Sequence, residues 1–160
     1  MLGVKLICSG KLRERHYIEA MGEYQKRLAA LCRFEVIELP EYRIGDTPTQ
    51  KMIEAALEKE AQAIEKQIPQ GAYVIAMCIE GTQLGSEALA MRFTELANHG
   101  KSRVCFLIGS SFGLAQRLKS AADERLSMSK MTFPHHLARV MLTEQVYRAF
   151  MINEGTRYHK

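Results

Sequence analysis

Val104-Cys105-Phe106-Leu107-Ile108 is an unbroken apolar run that ends at Gly109. A second apolar run, Ala72 to Ile79, lies earlier in the chain. Neither run alternates with charged residues, so a strand formed from either one has no face suited to water. Strands of this kind are typical of parallel sheets that are covered by helices on both sides. The two runs therefore predict an α/β fold.

On both sides of these two strands, predicted strands and predicted helices alternate along the whole chain. Three more strands are predicted, over Val4–Cys8, Phe34–Leu39 and Arg125–Met128, and the acidic-apolar alternation of the second places it near an edge. Helices are predicted in the intervening and closing segments: Arg13–Leu31, a helix capped by Thr49 or the residue beside it and running to about Ile68, Glu87–Asn98 with Ser86 as its cap, Leu114 to about Ala122, and His135–Met151. No linker or repeat interrupts the pattern, which predicts one domain over residues 1–160.

The composition excludes several classes of protein. Apolar residues make up 47% and charged residues 25% of the chain, which excludes a disordered tail, a coiled coil and a collagen-like fibre. No apolar run approaches the ~20 residues that span a bilayer, and the N-terminus does not resemble a signal peptide. The cysteines form no CxxC pair, so we interpret them as reduced thiols rather than disulfides or metal ligands. We expect a cytoplasmic protein with no membrane and no metal partner.

The formal net charge is only +4, but its distribution is uneven. The first 124 residues carry 16 basic and 16 acidic side chains, whereas the last 36 carry six basic and two acidic ones. Three of the five histidines also lie in this last segment. The sequence therefore places its positive excess at the C-terminal end.

Three predicted strand ends are candidates for a ligand site. They are Met77–Gly81, where we expect a turn at Glu80-Gly81-Thr82, Ile108–Gly113 and Leu126–Lys130. Ligands of open parallel sheets bind beyond the carboxyl ends of the strands. The motifs GxxxxGK[ST], GxGxxG, HExxH and GxSxG are absent, which disfavours a nucleoside triphosphate, an ordinary dinucleotide, a zinc protease and a serine hydrolase.

The residues around these strand ends resemble a known family. Ser127–His135, Ser-Met-Ser-Lys-Met-Thr-Phe-Pro-His, is similar to the signature of the RlmH family. Glu144–Phe150 and the closing Tyr158-His159-Lys160 resemble that family too, as do Lys5–Leu12 and Tyr24–Leu28 near the start. The similarity covers the whole chain. The chain is thus identified as a member of a family within the SPOUT class of methyltransferases.

This resemblance implies a fold and a reaction. The expected fold is a single α/β SPOUT domain with a C-terminal trefoil knot, the cofactor-binding part covering approximately residues 72–160, and an obligate homodimer. The expected methyl donor is S-adenosylmethionine (SAM). The expected acceptor is N3 of a pseudouridine in a stem-loop of 23S rRNA, in the large subunit or the assembled ribosome.

The resemblance also implies which residues contact SAM. Position by position they are Met77, Gly109, Met128, Ser129, Lys130, Met131, Thr132 and Phe133. This sequence departs from the family pattern where Met77 replaces leucine, where Ser110 replaces a second glycine, and where Phe112 replaces a small or polar residue. Serine fits at position 110 without strain if its φ is negative.

The catalytic candidates are His135, Arg139, Tyr158 and His159, because N3–H must lose a proton and a base or cation would assist. His135 could instead cap a helix or contact RNA, and Arg139 could pair with a phosphate or a carboxylate. Arg148, Arg157 and Lys160 are expected to contact RNA phosphates. We expect Tyr147 and Phe150 to lie in the core or the dimer interface rather than to stack on bases.

Two alternatives come from other functional classes. One is a catalytically weak ribosome-binding factor with the same fold, which the departures at Ser110 and Phe112 motivate. The other is a metabolic enzyme that acts on a small nucleotide. If RNA is the substrate, a dimer doubles the basic C-terminal segment, and activity should fall steeply with salt while SAM binding does not.

Overall fold

A computed structural model describes residues 1–160 and contains strands and helices in strict alternation. The strands are β1 (Gly3–Ser9), β2 (Arg33–Leu39), β3 (Tyr73–Gln83), β4 (Arg103–Ile108) and β5 (Glu124–Ser127). The helices are α1 (Arg15–Leu28), α2 (Gln50–Glu65), α3 (Ser86–Asn98), α4 (Gln116–Ala121) and α5 (His135–Asn153). Every predicted strand and helix is present, which confirms the predicted element order.

The five strands form one sheet in the order β2-β1-β4-β3-β5, and every neighbouring pair is parallel. The prediction of a parallel α/β fold is therefore confirmed. β2 lies at an edge, as its alternating residues predicted, and the apolar β4 lies at the centre. Because all the strands run the same way, their carboxyl ends meet at one edge of the sheet.

Helices cover both faces of the sheet. α1, α3 and α5 pack on one face, where Phe93 of α3 lies between Phe106 of β4 and Phe150 of α5, with ring centroids 6.3 and 5.5 Å away. α2 and α4 cover the other face, through Ala61, Ile64 and Leu118 among others. β4 is buried from both sides, which is why Val104 to Ile108 contains only apolar residues.

The predicted turn at Glu80-Gly81-Thr82 is wrong. β3 continues to Gln83, and its pairing with β5 shifts register so that both Met77 and Thr82 face Leu126. The residues between them form a bulge. A Cβ on Gly81 would lie only 2.7 Å from the carbonyl carbon of Arg125, so this glycine permits a close approach of two backbones rather than a chain reversal.

The two predicted helix caps had different outcomes. Thr49 caps α2 by accepting a hydrogen bond from the backbone N–H of Met52 at 3.2 Å, which confirms that prediction. Ser86 is not a cap: Gly85 precedes the helix, and the Ser86 hydroxyl donates to Oε1 of Gln145 on α5 at 2.7 Å. Ser86 is the first helical residue rather than the residue before the helix, so its hydroxyl does not occupy the capping position.

Candidate active site

The carboxyl ends of β3, β4 and β5 open into a cleft of about 620 Å³. Its walls come from residues 77–80, 108–114, 127–129 and 131–135, together with Lys119 and Ala138. These are the three strand ends that the sequence singled out. Apolar side chains such as Met77, Met128 and Phe133 form a large part of the lining, beside several serines.

The loop after β4 folds back tightly on Gly109. A Cβ at this position would lie 2.2 Å from both the carbonyl carbon and the oxygen of Gly113, closer than any real contact. The Gly113 N–H donates to the Ser110 carbonyl at 2.8 Å, and Gly113 itself has a positive φ of 83°. Glycine is thus required at position 109 for space and favoured at position 113 for conformation.

Ser110 fits this loop without strain, because no residue other than glycine has a positive φ. Its buried hydroxyl donates to Oε1 of Glu60 on α2 at 3.0 Å, and Oε2 of Glu60 accepts from the Tyr42 N–H at 3.0 Å. Burial raises the pKa of Glu60, and the two hydrogen bonds oppose that rise. Glu60 was not predicted as a site residue, although its spacing of four residues from both Ala56 and Ile64 places it on the apolar face of the predicted helix.

The structure brings most of the predicted cofactor residues together. Seven of them line the cleft: Met77, Gly109, Met128, Ser129, Met131, Thr132 and Phe133. The remaining one, Lys130, is exposed and does not line it. Two hydrogen bonds hold this segment, from the Ser127 hydroxyl to the Ser129 carbonyl at 2.9 Å and from the Met131 N–H to the Ser129 hydroxyl at 3.0 Å.

His135 is the one catalytic candidate that lies in the cleft. It is the first residue of α5, its Nε2 is buried without a hydrogen-bond partner, and its ring lies 4.2 Å from the His136 ring. Burial lowers the pKa of His135, and the neighbouring His136 lowers it further. The imidazole is therefore neutral at physiological pH and can accept a proton.

Arg139 lies elsewhere. Its side chain is completely buried and donates from Nη1 to Oε2 of Glu38 at 2.7 Å and from Nη2 to the Gly10 carbonyl at 3.0 Å. It does not line the cleft. Its contacts join α5 to the carboxyl ends of β1 and β2. Of the two partners suggested for Arg139, a phosphate or a carboxylate, the structure shows a carboxylate, that of Glu38.

The C-terminal residues dock against the second half of α5. The Tyr158 hydroxyl donates to Oε1 of Glu144 at 2.9 Å, and burial together with this carboxylate raises the pKa of Tyr158 to about 12. Nε2 of His159 lies 2.9 Å from Oε1 of Glu87. At a rise of ~1.5 Å per residue, Glu144 lies roughly 14 Å along α5 from His135 and Arg148 roughly 20 Å. Neither residue lines the cleft of its own chain.

The three residues expected to contact RNA differ in their surroundings. Arg148 is already paired, with Nη2 at 2.6 Å from Oε1 of Glu144 and its guanidinium 4.7 Å from the Tyr158 ring centroid. Arg157 and Lys160 are exposed in the tail and form no ion pair. Tyr147 and Phe150 pack against the core, with the Tyr147 ring 4.9 Å from that of Tyr158.

The parallel sheet and the cleft at its carboxyl edge define an α/β protein with a candidate ligand site at its strand ends. Residues 2–159 match the family model described as predicted SPOUT methyltransferase. The chain therefore belongs to the SPOUT methyltransferase family, and it is a methyltransferase.

Relatives of known name narrow the family further. The chain is 45% identical to ribosomal RNA large subunit methyltransferase H of Streptococcus pyogenes serotype M5 (strain Manfredo) over 157 residues, which cover 98% of this chain and 99% of the relative. It is 43% identical to the protein of the same name from Streptococcus uberis over the same shares. These relatives confirm the predicted resemblance to the RlmH family.

A solved structure supports the fold alone. A protein described as a probable methyltransferase from Bordetella pertussis Tohama I superposes with a TM-score of 0.56 at 12% identity, over 93% of this chain and 96% of that one.

Two further features bear on partners. No helix combines the length and apolarity needed to cross a membrane. No group of three or more histidine, cysteine or acidic side chains is arranged to hold a metal ion, and all four cysteines are free.

Proposed function

We propose that this protein transfers a methyl group from SAM to N3 of a pseudouridine in 23S rRNA, within the large ribosomal subunit or the assembled ribosome. The single observation that carries the proposal is the convergence of three separate strand ends in one cleft that contains His135. The 45% identity to a protein named ribosomal RNA large subunit methyltransferase H supports the choice of substrate.

The cleft suits SAM in size and chemistry. Its volume of about 620 Å³ lies within the usual ~300–1,000 Å³ of small-molecule sites. Gly109 allows the loop after β4 to close on the Gly113 backbone, which shapes one wall of the cleft, and Met77, Met128 and Phe133 offer an apolar wall for an adenine ring. Lys130 is exposed and does not line the cleft, so its contribution to cofactor binding would be smaller than that of its neighbours. When bound, SAM supplies an electrophilic methyl group for an in-line displacement.

His135 is the group that would move the proton. An imide nitrogen attacks only after N3–H is removed, and the neutral imidazole of His135 can accept that proton at physiological pH. Arg139 would act as a positioning residue: it fixes the first turns of α5, and therefore the His135 ring, through Glu38 and Gly10.

The tail and the dimer belong together in this proposal. Tyr158 and His159 dock roughly 14–20 Å along α5 from His135 and do not line the cleft of their own chain, so we place them at the cleft of a second copy. We place α5 in the homodimer interface, because Leu137, Val140 and Met141 stay partly exposed in the single chain. The trefoil knot over approximately residues 72–160 and RNA contacts of Arg148, Arg157 and Lys160 are part of the same proposal, as is a cytoplasmic location.

The test is a methyl-transfer assay on ribosomes from a strain that lacks this gene. Purified protein and SAM should add one methyl mass to a single pseudouridine of 23S rRNA, detected by mass spectrometry of nuclease digests, and a Gly109→Val variant should add none. Methylation of free nucleoside but not of ribosomes would contradict the proposal and favour a small-nucleotide enzyme. Ribosome binding without SAM binding by calorimetry would favour a ribosome-binding factor.

A further inference from the structure

A second cleft lies on the same edge of the sheet as the candidate active site. It has a volume of about 690 Å³ and is formed by the segments that follow β1 and β2, from Gly10 to Arg13 and from Leu39 to Arg43. The two clefts are neighbours, because His135 lines the first and His136 lines the second at the start of α5. A polymer that entered the first cleft would therefore pass over the second.

The second cleft carries three free cations. Lys11, Arg13 and Arg43 line it, are exposed, and form no ion pair. Two acidic residues also line it. Glu38 accepts from Arg139, so Glu41 is the one carboxylate among the lining residues that has no ion pair.

The segment that presents Lys11 and Arg13 is held in place. The Gly10 N–H donates to the Leu39 carbonyl at 2.7 Å, and the Leu12 N–H donates to Oε2 of Glu38 at 2.7 Å. Leu12 is itself buried. The two cations therefore flank a fixed backbone and face a ligand without first having to order a mobile loop.

The lining identifies the kind of ligand. Leu39 and Pro40 are the apolar side chains among the residues of this cleft, and no phenylalanine or tyrosine lines it as a platform on which a base could stack. A cleft with several separated cations suits a solvated phosphate backbone, whereas bases stack on aromatic surfaces. The first cleft has the apolar wall and the second has the cations.

We propose that the second cleft binds the RNA backbone beside the target nucleotide, with Lys11, Arg13 and Arg43 contacting successive phosphates. This inference rests on the proposed rRNA substrate, and it extends the expected RNA surface from the C-terminal tail to residues of the N-terminal quarter. The sequence did not predict this surface, because the net charge of the first 124 residues is zero. Many basic side chains of this part of the chain form ion pairs with acidic neighbours, whereas Lys11, Arg13 and Arg43 are unpaired and lie together around one cleft.

The experiment compares two triple variants. The test variant is Lys11→Gln, Arg13→Gln, Arg43→Gln. The matched control is Lys66→Gln, Arg33→Gln, Arg103→Gln, which removes one lysine and two arginines that are exposed, unpaired and located at the opposite edge of the sheet. Binding of protein to purified 23S rRNA is measured by filter binding over a range of salt concentrations. Methyl transfer to ribosomes and SAM affinity by calorimetry are measured in parallel.

The test variant should bind 23S rRNA at least tenfold more weakly than the wild type. The slope of log affinity against log salt should fall by about 2, as expected for the loss of three phosphate contacts. SAM affinity should change less than twofold, and the control variant should match the wild type throughout. Equal RNA binding by the test variant and the wild type, or equal losses in the test and control variants, would refute the inference.

The two proposals can fail separately. If the wild type transfers no methyl to ribosomes but its salt-dependent binding of 23S rRNA is lost in the test variant alone, the proposed reaction is wrong and the phosphate-binding cleft stands. If the wild type methylates ribosomes and the test variant binds and methylates as well as it does, the cleft assignment is wrong and the reaction stands.

Discussion

At the scale of single residues, two glycines in one loop are needed for different reasons: Gly109 because a side chain would clash, and Gly113 because its φ is positive. A Cβ at Gly109 would collide with the Gly113 backbone at 2.2 Å. A Cβ at Gly113 would meet nothing within 4 Å, and the only cost of a side chain there is the backbone strain of its positive φ. We expect Gly113→Ala to cost about 1–2 kcal/mol of stability, the usual cost of a left-handed residue, and to retain SAM binding. Gly109→Ala should weaken SAM binding more than tenfold. Calorimetry and thermal unfolding of both variants test this, and equal SAM affinity in the two would contradict it.

A second prediction at this scale concerns the titration of His135. Its pKa lies below the ordinary 6.5 because it is buried beside His136, and a base acts only when it is unprotonated. Methyl transfer should therefore stay constant from about pH 8 down to 6.5 and fall only as the pH drops through the lowered pKa. His136→Gln should move this acid limb to higher pH, because it removes a charge that lowers the pKa of His135.

The acid limb must be separated from unfolding. Since the folded protein resists protonation of His135 and the unfolded chain does not, stability is also lost as the pH falls below 6.5. Circular dichroism at each pH therefore accompanies the rate measurement. If His135→Gln retains full activity with the same acid limb, His135 is not the base.

At the scale of elements, Arg139 joins α5 to the rest of the sheet. Arg139→Met would leave the Gly10 carbonyl and the Glu38 carboxylate without their buried donor, and we expect a loss of at least about 2 kcal/mol. A matched control is Arg27→Met on α1, which removes a solvent-exposed pair with Glu23 and should cost much less stability than Arg139→Met. Denaturant unfolding measures both. Wild-type stability of Arg139→Met together with lost turnover would instead favour a direct catalytic role.

At the scale of the whole molecule, the position of the tail predicts that two chains share one site. A variant without residues 157–160 keeps its cleft, and His135→Gln keeps its tail. Each should be inactive alone. If the tail acts across a homodimer, an equal mixture after subunit exchange contains heterodimers with one complete site, and about a quarter of wild-type activity should return. No recovery in exchanged samples would show that the tail acts within its own chain or not at all.

The sequence alone determined the order of elements, the parallel sheet and the location of the ligand cleft. The reason is local: uninterrupted apolar runs such as Val104–Ile108 need cover on both faces, and parallel strands bring their carboxyl ends to one edge. Residue types in one strand-to-helix segment, Ser127–His135, sufficed for the family. The bulge in β3 was not predicted, because a glycine after an apolar run occurs both in turns and where two backbones approach closely, and the local sequence around Gly81 does not distinguish the two.

Only the tertiary structure decided which side chains meet. Arg139 forms a buried pair with Glu38, and Ser110 donates to Glu60. Tyr158 of the tail contacts Glu144 of α5 in the same chain and does not line the cleft. The tertiary structure also gathered Lys11, Arg13 and Arg43 around one cleft while ion pairs neutralised other charges. Each of these contacts joins residues far apart in the chain or depends on what covers a side chain. A sequence pattern records local periodicity and residue type, whereas burial and charge pairing depend on packing between distant segments.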